Sequence, residues 1–244
     1  SSLVLSEDTL AAGIRVSDSS IGGVLLFQGH HGDGASNWSY HNWVNGSDGG
    51  NGDLFGISIS QFGETLSVGA SGMDSFKGAV YLFERDHGGA GNWGEVQKLV
   101  SNHSDADQRF GGSVSLSGDS LAIGARGVGS FQGMVSLFEK KSTTWELTKT
   151  LTAPNGAVAD SFGSAVALSG DRLAIGAAGF QSNQGCLYLF ERPQSRWAPI
   201  DVVNPSQVAG TTIEDFSRSI AAIPGTLVVG APASTVLAQG GDEV

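Results

Sequence analysis

Basic residues, cysteine and long apolar runs are all scarce in this chain. Thirteen Lys and Arg stand against twenty-four Asp and Glu, a formal net charge of −11. Such a surface repels a phosphate backbone and offers no basic stripe to bind one, which argues against nucleic acid as a partner. No apolar run approaches the roughly 18 residues that a spanning helix needs, so no transmembrane segment is expected in this stretch. Cys186 is the only cysteine. No internal disulfide can form, and its place in the alternating run Cys186-Leu187-Tyr188-Leu189 marks it as a small buried hydrophobe. No Gly-x-Ser-x-Gly elbow, His-Glu-x-x-His pair or phosphate loop occurs, so the usual short catalytic motifs are missing. A signal peptide is missing too, although residue 1 already lies inside a strand pattern, so the native N-terminus is expected upstream.

Glycine, by contrast, is abundant at 37 residues, and it falls at fixed places. The stretch Asp160-Ser161-Phe162-Gly163, an alternating run to Leu168, a Gly170-Asp171 turn, Leu173-Ala174-Ile175-Gly176-Ala177, a polar loop and Gly185-Cys186-Leu187-Tyr188-Leu189-Phe190-Glu191 is one copy of a unit. Phe-Gly recurs as Phe55-Gly56, Phe110-Gly111 and Phe162-Gly163, and weakens to Phe-Ser at Phe216. Gly-Ala follows at Gly69, Gly124, Gly176 and Gly230, with Gly13 in a first unit that lacks its Phe-Gly. A period of about 50 residues with four short apolar runs per unit is a repeat architecture. Glycine first in a two-residue turn, as in Gly63-Glu64, Gly118-Asp119 and Gly170-Asp171, suits a type II′ hairpin and makes strands 1 and 2 of each unit antiparallel neighbours. A serine three residues before the strand 3 glycine (Ser20, Ser75, Ser130, Ser182) is expected to bond nearby backbone in the loop between strands 2 and 3.

Four antiparallel strands joined in sequence and repeated radially predict an all-β fold, a β-propeller. A stacked β-solenoid is the runner-up, disfavoured by the long period and the tight hairpins. The expected blades are residues 1–53, 54–108, 109–160, 161–214 and an incomplete 215–244, part of a longer ring of seven, with closure at five as the alternative. A tryptophan opens strand 4 at Trp93, Trp145 and Trp197, with Trp38 or Trp43 in the first unit, and is expected to cover the seam with the next blade.

Phe-Gly followed by Gly-Ala-Pro, complete in Gly230-Ala231-Pro232 and varied at Ser71, Arg126 and Ala178, resembles the FG-GAP repeat of the integrin α-chain propeller. The form seen here is similar to the arrays of microbial and algal surface proteins more than to animal integrins. Integrin blades carry Asp-rich calcium loops between strands 1 and 2; the two-residue turns here leave no room for them.

Calcium needs six to eight oxygens. The segment Asp48-Gly49-Gly50-Asn51-Gly52-Asp53 is the best candidate, with the same spacing in Asn102 to Asp107 and Asn155 to Asp160; Asp, Asn and Gly also make ordinary turns that need no ion. Thus Asp48, Asn51, Asp53, Asp107 and Asp160 are the candidate cation ligands. His30, His31 and Asp33, in a loop expected at 28–37, are a weaker zinc candidate. Asn37, Asn45 and Asn102 head glycosylation sequons. The expected function is an extracellular or cell-surface module, not an enzyme, that binds protein or glycan through the loops of one propeller face. A structural link in a surface filament or glycocalyx, in contact with further copies or other subunits, and a carbohydrate-active or other hydrolytic propeller with paired carboxylates are the alternatives.

Overall fold

A strand whose two faces both meet neighbours reads as a continuous apolar run, whereas a strand with one wet face alternates. Both patterns recur in every unit, and the computed structural model shows why. It describes residues 2–6, 8–14, 22–32, 35–104, 106–205, 211–212, 214–223, 225–232 and 235–236. Blade 1 comprises β1 (Leu3–Ser6), β2 (Thr9–Ile14), β3 (Gly23–Gly32) and β4 (Ala35–Val44). Blade 2 comprises β5 (Phe55–Phe62), β6 (Thr65–Ala70), β7 (Ala79–Arg85) and β8 (Trp93–Val100); blade 3, β9 (Phe110–Ser117), β10 (Ser120–Ala125), β11 (Met134–Lys141) and β12 (Thr144–Leu151). Blade 4 comprises β13 (Phe162–Ser169), β14 (Arg172–Ala177), β15 (Cys186–Glu191) and β16 (Ala198–Val203). Each is a four-stranded antiparallel sheet in sequence order. After them β17 (Thr211–Thr212) pairs with β20 (Thr235–Val236), and β18 (Ser219–Ile223) with β19 (Thr226–Gly230), the start of a fifth blade. The fold is an all-β array of propeller blades.

The first strands of successive blades lie beside one another, which makes them the innermost. Leu116 N donates to Ser60 Oγ and Leu168 N to Ser115 Oγ, each at 2.9 Å, so serines on the polar face of one inner strand hold the next. The hairpins close as expected: Phe62 pairs with Thr65, Ser117 with Ser120 and Ser169 with Arg172. Gly63, Gly118 and Gly170 have φ of 53, 58 and 57°, and the acidic residue after each has negative φ, the type II′ pattern.

Alternate residues of strands 2 and 3 feed two different cores. Val80 and Leu82 of blade 2 pack with Phe110, Leu121, Ile123 and Met134 of blade 3, whereas Tyr81 and Phe83 turn back to Ala11, Val24 and Leu26 of blade 1. The cores therefore lie between blades. The Phe-Gly phenylalanines are their keystones: Phe55, Phe110 and Phe162 are 1, 0 and 0 % exposed. Phe110 stands edge-on to Phe138 at 6.4 Å, and Phe162 to Tyr188 at 5.2 Å. Each begins a β-bulge, with two residues skipped between Phe55 and Ser58 opposite Ala70 and Gly69, and likewise in the next two blades. Gly56, Gly111 and Gly163 take φ of 82, 81 and 84° in that bulge, where a side chain would be strained.

The bulge presents each Phe-Gly glycine to the Gly-Ala glycine of the blade before. A methyl group added to Gly69 would stand 2.0 Å from the Gly111 oxygen, and one added to Gly124, 2.1 Å from that of Gly163. Ser58 Oγ donates to the same Gly111 oxygen at 2.7 Å and Ser113 Oγ to that of Gly163 at 2.9 Å. Backbone meets backbone at every such seam.

Three expectations need correction. Trp93, Trp145 and Trp197 are buried, but each joins the core shared with the preceding blade, not the next. Trp38 is the register equivalent, since Gly29 pairs with Trp38 as Arg85 does with Trp93; with no described blade before it, Trp38 remains 39 % exposed. The loop expected at 28–37 is instead a hairpin extension, in which His30 pairs with Asn37 and His31 with Ser36; Asp33 lies outside the described residues. Finally, the loop serines Ser75, Ser130 and Ser182 make no side-chain hydrogen bond among the described residues, Ser20 lying outside them. They occupy left-handed turns instead: Asp74 and Ser75, Gly129 and Ser130, and Gln181 and Ser182 all have φ between 47 and 61°.

Candidate functional site

The two ends of the blades differ. At one end lie the two-residue turns and the tips of strand 3, joined by ion pairs that cross from blade to blade. Thr65, Ser120 and Arg172 pair with Glu84, Glu139 and Glu191, so these glutamates are equivalent. Lys140 reaches back to Glu84 at 2.6 Å and Arg192 to Glu139 at 2.9 Å. Gln28 occupies the same place in blade 1, and there Asp8 of the turn receives Arg85 at 2.8 Å and Gln28 at 2.5 Å. The Arg85 guanidinium beside Asp8 holds its carboxyl well below the usual carboxylate range. Arg85 and Arg192 also cover the rings of Trp93 and Trp197 at 5.4 and 5.3 Å. This end is a clasp.

The other end carries the left-handed turns and the longer connectors 45–54, 101–109 and 152–161 between blades. The turns keep one backbone shape in three blades because the next blade grips them. Arg109 and Phe110 amides donate to the Phe76 and Lys77 oxygens at 2.8 and 3.0 Å, and Ser161 and Phe162 to those of Phe131 and Gln132 at 2.7 and 3.0 Å. Arg109 is thereby held with its guanidinium 5.3 Å over the Phe76 ring and 5.6 Å over that of Phe131. Phe76 remains 44 % exposed.

A cavity of 770 Å³ opens at this end of blade 2, lined by Asp48, Asp53, Met73, Lys77, Lys98 and His103 among others. Two candidate cation ligands thus lie at it, but protein donors hold both. Asp48 accepts from Lys98 Nζ at 2.6 Å and Tyr81 O–H at 2.7 Å, and the lysine holds its carboxyl below the ordinary value. Burial, with Asp48 beyond it, pushes the Tyr81 phenol above its ordinary range. Asp53 closes its own turn by accepting from Gly50 N at 2.6 Å, and Asp160 does the same with Ala157 N at 2.7 Å. Asp107 pairs with Arg109 Nε at 2.9 Å, and Asn51 is exposed. The spacing-of-five segments are Asp-closed turns in blades 1 and 3, and among the described residues no three His, Cys, Asp or Glu side chains converge on a metal position. Sequence reading missed the Lys98 and Tyr81 partners because they stand 50 and 33 residues from Asp48.

A second cavity, of 650 Å³, lies between blade 4 and the β18–β19 pair and is more apolar, with Leu173, Phe190, Ile223 and Leu227 in its wall. Asn37, Asn45 and Asn102 are all exposed, the latter two on connectors of the loop end. Among the described residues no helix is long and apolar enough to cross a membrane.

No curated protein matches the chain. Among solved structures it is similar to Sqt1 from Chaetomium thermophilum, at 16 % identity and a TM-score of 0.56 over 94 % of this chain, a likeness of fold alone. The chain spans about half of that structure, 53 % of its length. The FG-GAP repeat family matches residues 38–83, 93–138 and 145–190. Each match runs from the strand 4 tryptophan of one sheet to the strand 3 phenylalanine of the next, so the sequence repeat straddles two blades, stitched by the same Phe-Gly bulge. With matches over more than half its length, and with the Phe-Gly and Gly-Ala glycines in backbone contact across the seams, the chain belongs to the FG-GAP repeat family.

Proposed function

We propose that this chain is an extracellular or cell-surface interaction module that binds a protein or glycan through its loop end, and that it is not an enzyme. The observation that carries this reading is the asymmetry of the blades: one end is clasped by interblade ion pairs, the other offers longer connectors, an exposed Phe76 and a 770 Å³ cavity. Rigid frames commonly present ligand-binding groups on such loops. Most carboxylates at the two cavities are engaged by cations, Asp48 by Lys98, Asp74 by Lys77 and Asp171 by Arg192, and Asp53 is engaged by the Gly50 N–H, which favours binding over hydrolysis. Exposed sequons at Asn45 and Asn102 would place glycans at the rim of the same end.

The test is a binding screen of the purified chain against immobilised glycans and secreted proteins, followed by substitution at each end. A saturable ligand lost with Phe76→Ala and retained with Glu146→Ala, an exposed change on the outer strand, is the expected result. Binding indifferent to the loop end, turnover of a substrate, or self-assembly into fibres without any other ligand would overturn it.

A further inference from the structure

Arg126 stands third in the Gly-Ala-x triplet of blade 3, where blades 2, 4 and 5 carry Ser71, Ala178 and Pro232 and the first unit's Gly-Ile sequence carries Arg15. It is half-buried, and among the described residues it makes no hydrogen bond or ion pair. Its neighbours make this unusual. Gly127 N donates to Gln108 O at 2.9 Å, which holds residues 126–127 against 108–109 and brings Arg109 alongside. Arg218, two residues after Phe216 and so at the bulge position that Ile57, Gly112 and Ser164 hold on the inner strands, is close enough for its charge to act on Arg126.

Each flanking arginine already has a carboxylate of its own: Arg109 pairs with Asp107 and Arg218 with Asp215, both at 2.9 Å. Among the described residues Arg126 has none, although the sequence carries an eleven-charge excess of acids. Burial first, then repulsion by Arg109 and Arg218, pull its pKa down, and Asp107 opposes them only weakly. A half-buried guanidinium without a protein partner is a ready fork for an oxyanion supplied from outside.

We propose that Arg126, flanked by Arg109 and Arg218, anchors a single carboxylate from an acidic side chain of a partner protein. The proposal deepens the loop-end reading above and rests on it. A peptide carboxylate suits the site better than a polyanionic glycan: the net charge of −11 repels an extended polyanion beyond the three arginines. The exposed Phe76 beside Arg109 supplies apolar surface for a residue next to the acid.

The test uses the whole chain labelled with ¹⁵N and follows the arginine Nε–Hε signals. Acetyl-Asp-Phe-amide should shift the Arg126 signal saturably, acetyl-Asn-Phe-amide at least tenfold more weakly. Read on the remaining Arg109 and Arg218 signals, Arg126→Gln should abolish the response to the acidic dipeptide while melting no lower than the parent, and Arg126→Lys should weaken it at least threefold. No saturable shift, equal response to the Asn peptide, or retained binding by Arg126→Gln would overturn the site; tighter binding of a sulfated hexasaccharide would overturn the peptide as its ligand. The two readings fail separately. A macromolecule bound at the loop end with unchanged affinity by Arg126→Gln would sink this site and leave the loop-end module standing, whereas the dipeptide result stands whatever the screen finds.

Discussion

One methyl group decides whether two blades can meet. At Gly124 it would stand 2.1 Å from a backbone oxygen of the next blade, and backbone at both ends of the contact leaves nothing to swing aside. Gly118, in a turn with φ of 58°, has no atom within 4 Å of the added carbon. Gly118→Ala should therefore cost only the strain of a left-handed alanine, about 1 kcal/mol, whereas Gly124→Ala should lose most of the cooperative urea transition. Equal costs for the two would show that the seam is not built as described. Phe110→Ala removes a ring with no exposure from the core between blades 2 and 3. It should lower unfolding free energy by about 3–5 kcal/mol; an unchanged midpoint would refute its place in that core. These residues were legible because each recurs at one place per unit. The lone cysteine was legible as well, buried as its alternating neighbours implied, and burial pushes its thiol up to about 11. Arg126 was not legible as a site: its meaning lies in what surrounds it, and Arg218 comes from two blades away.

Between elements, the clasp end makes a prediction about acid. Asp8 has its pKa lowered in the folded chain, so its contribution is complete above the ordinary Asp value of about 4 and fades as pH falls below it, through the lower folded value. Asp8→Asn should lower the melting temperature at pH 7, by the equivalent of at most about 1 kcal/mol for so open a pair, and the gap to the parent should shrink below about pH 4. A gap that widens with acid would contradict the Arg85 pairing. The sheets themselves were readable, since two-residue turns dictate antiparallel neighbours and the period counts the blades. The strand 2–3 turns were not. Three consecutive residues at positive φ, such as Asp74, Ser75 and Phe76, run against local preference, and amide donors from the next blade hold them there. No reading of one unit by itself reveals a conformation that its neighbour imposes. The 28–37 hairpin was hidden for a different reason, because its polar residues lack the apolar alternation that signals a strand.

At the scale of the whole molecule, cores that lie between blades make each seam a unit of stability shared by two neighbours, as in other repeat architectures. The tryptophans follow that division. Trp93 sits in the core of blades 1 and 2, Trp145 in that of blades 2 and 3, and Trp197 in that of blades 3 and 4, while Trp38 and Trp43 remain partly in water. Nature has thus placed one fluorophore at each of three successive joints. Emission from a chain that keeps a single buried tryptophan would report the opening of one joint alone, and three such chains, compared in denaturant, would reveal whether the array comes apart at once or unzips from one side.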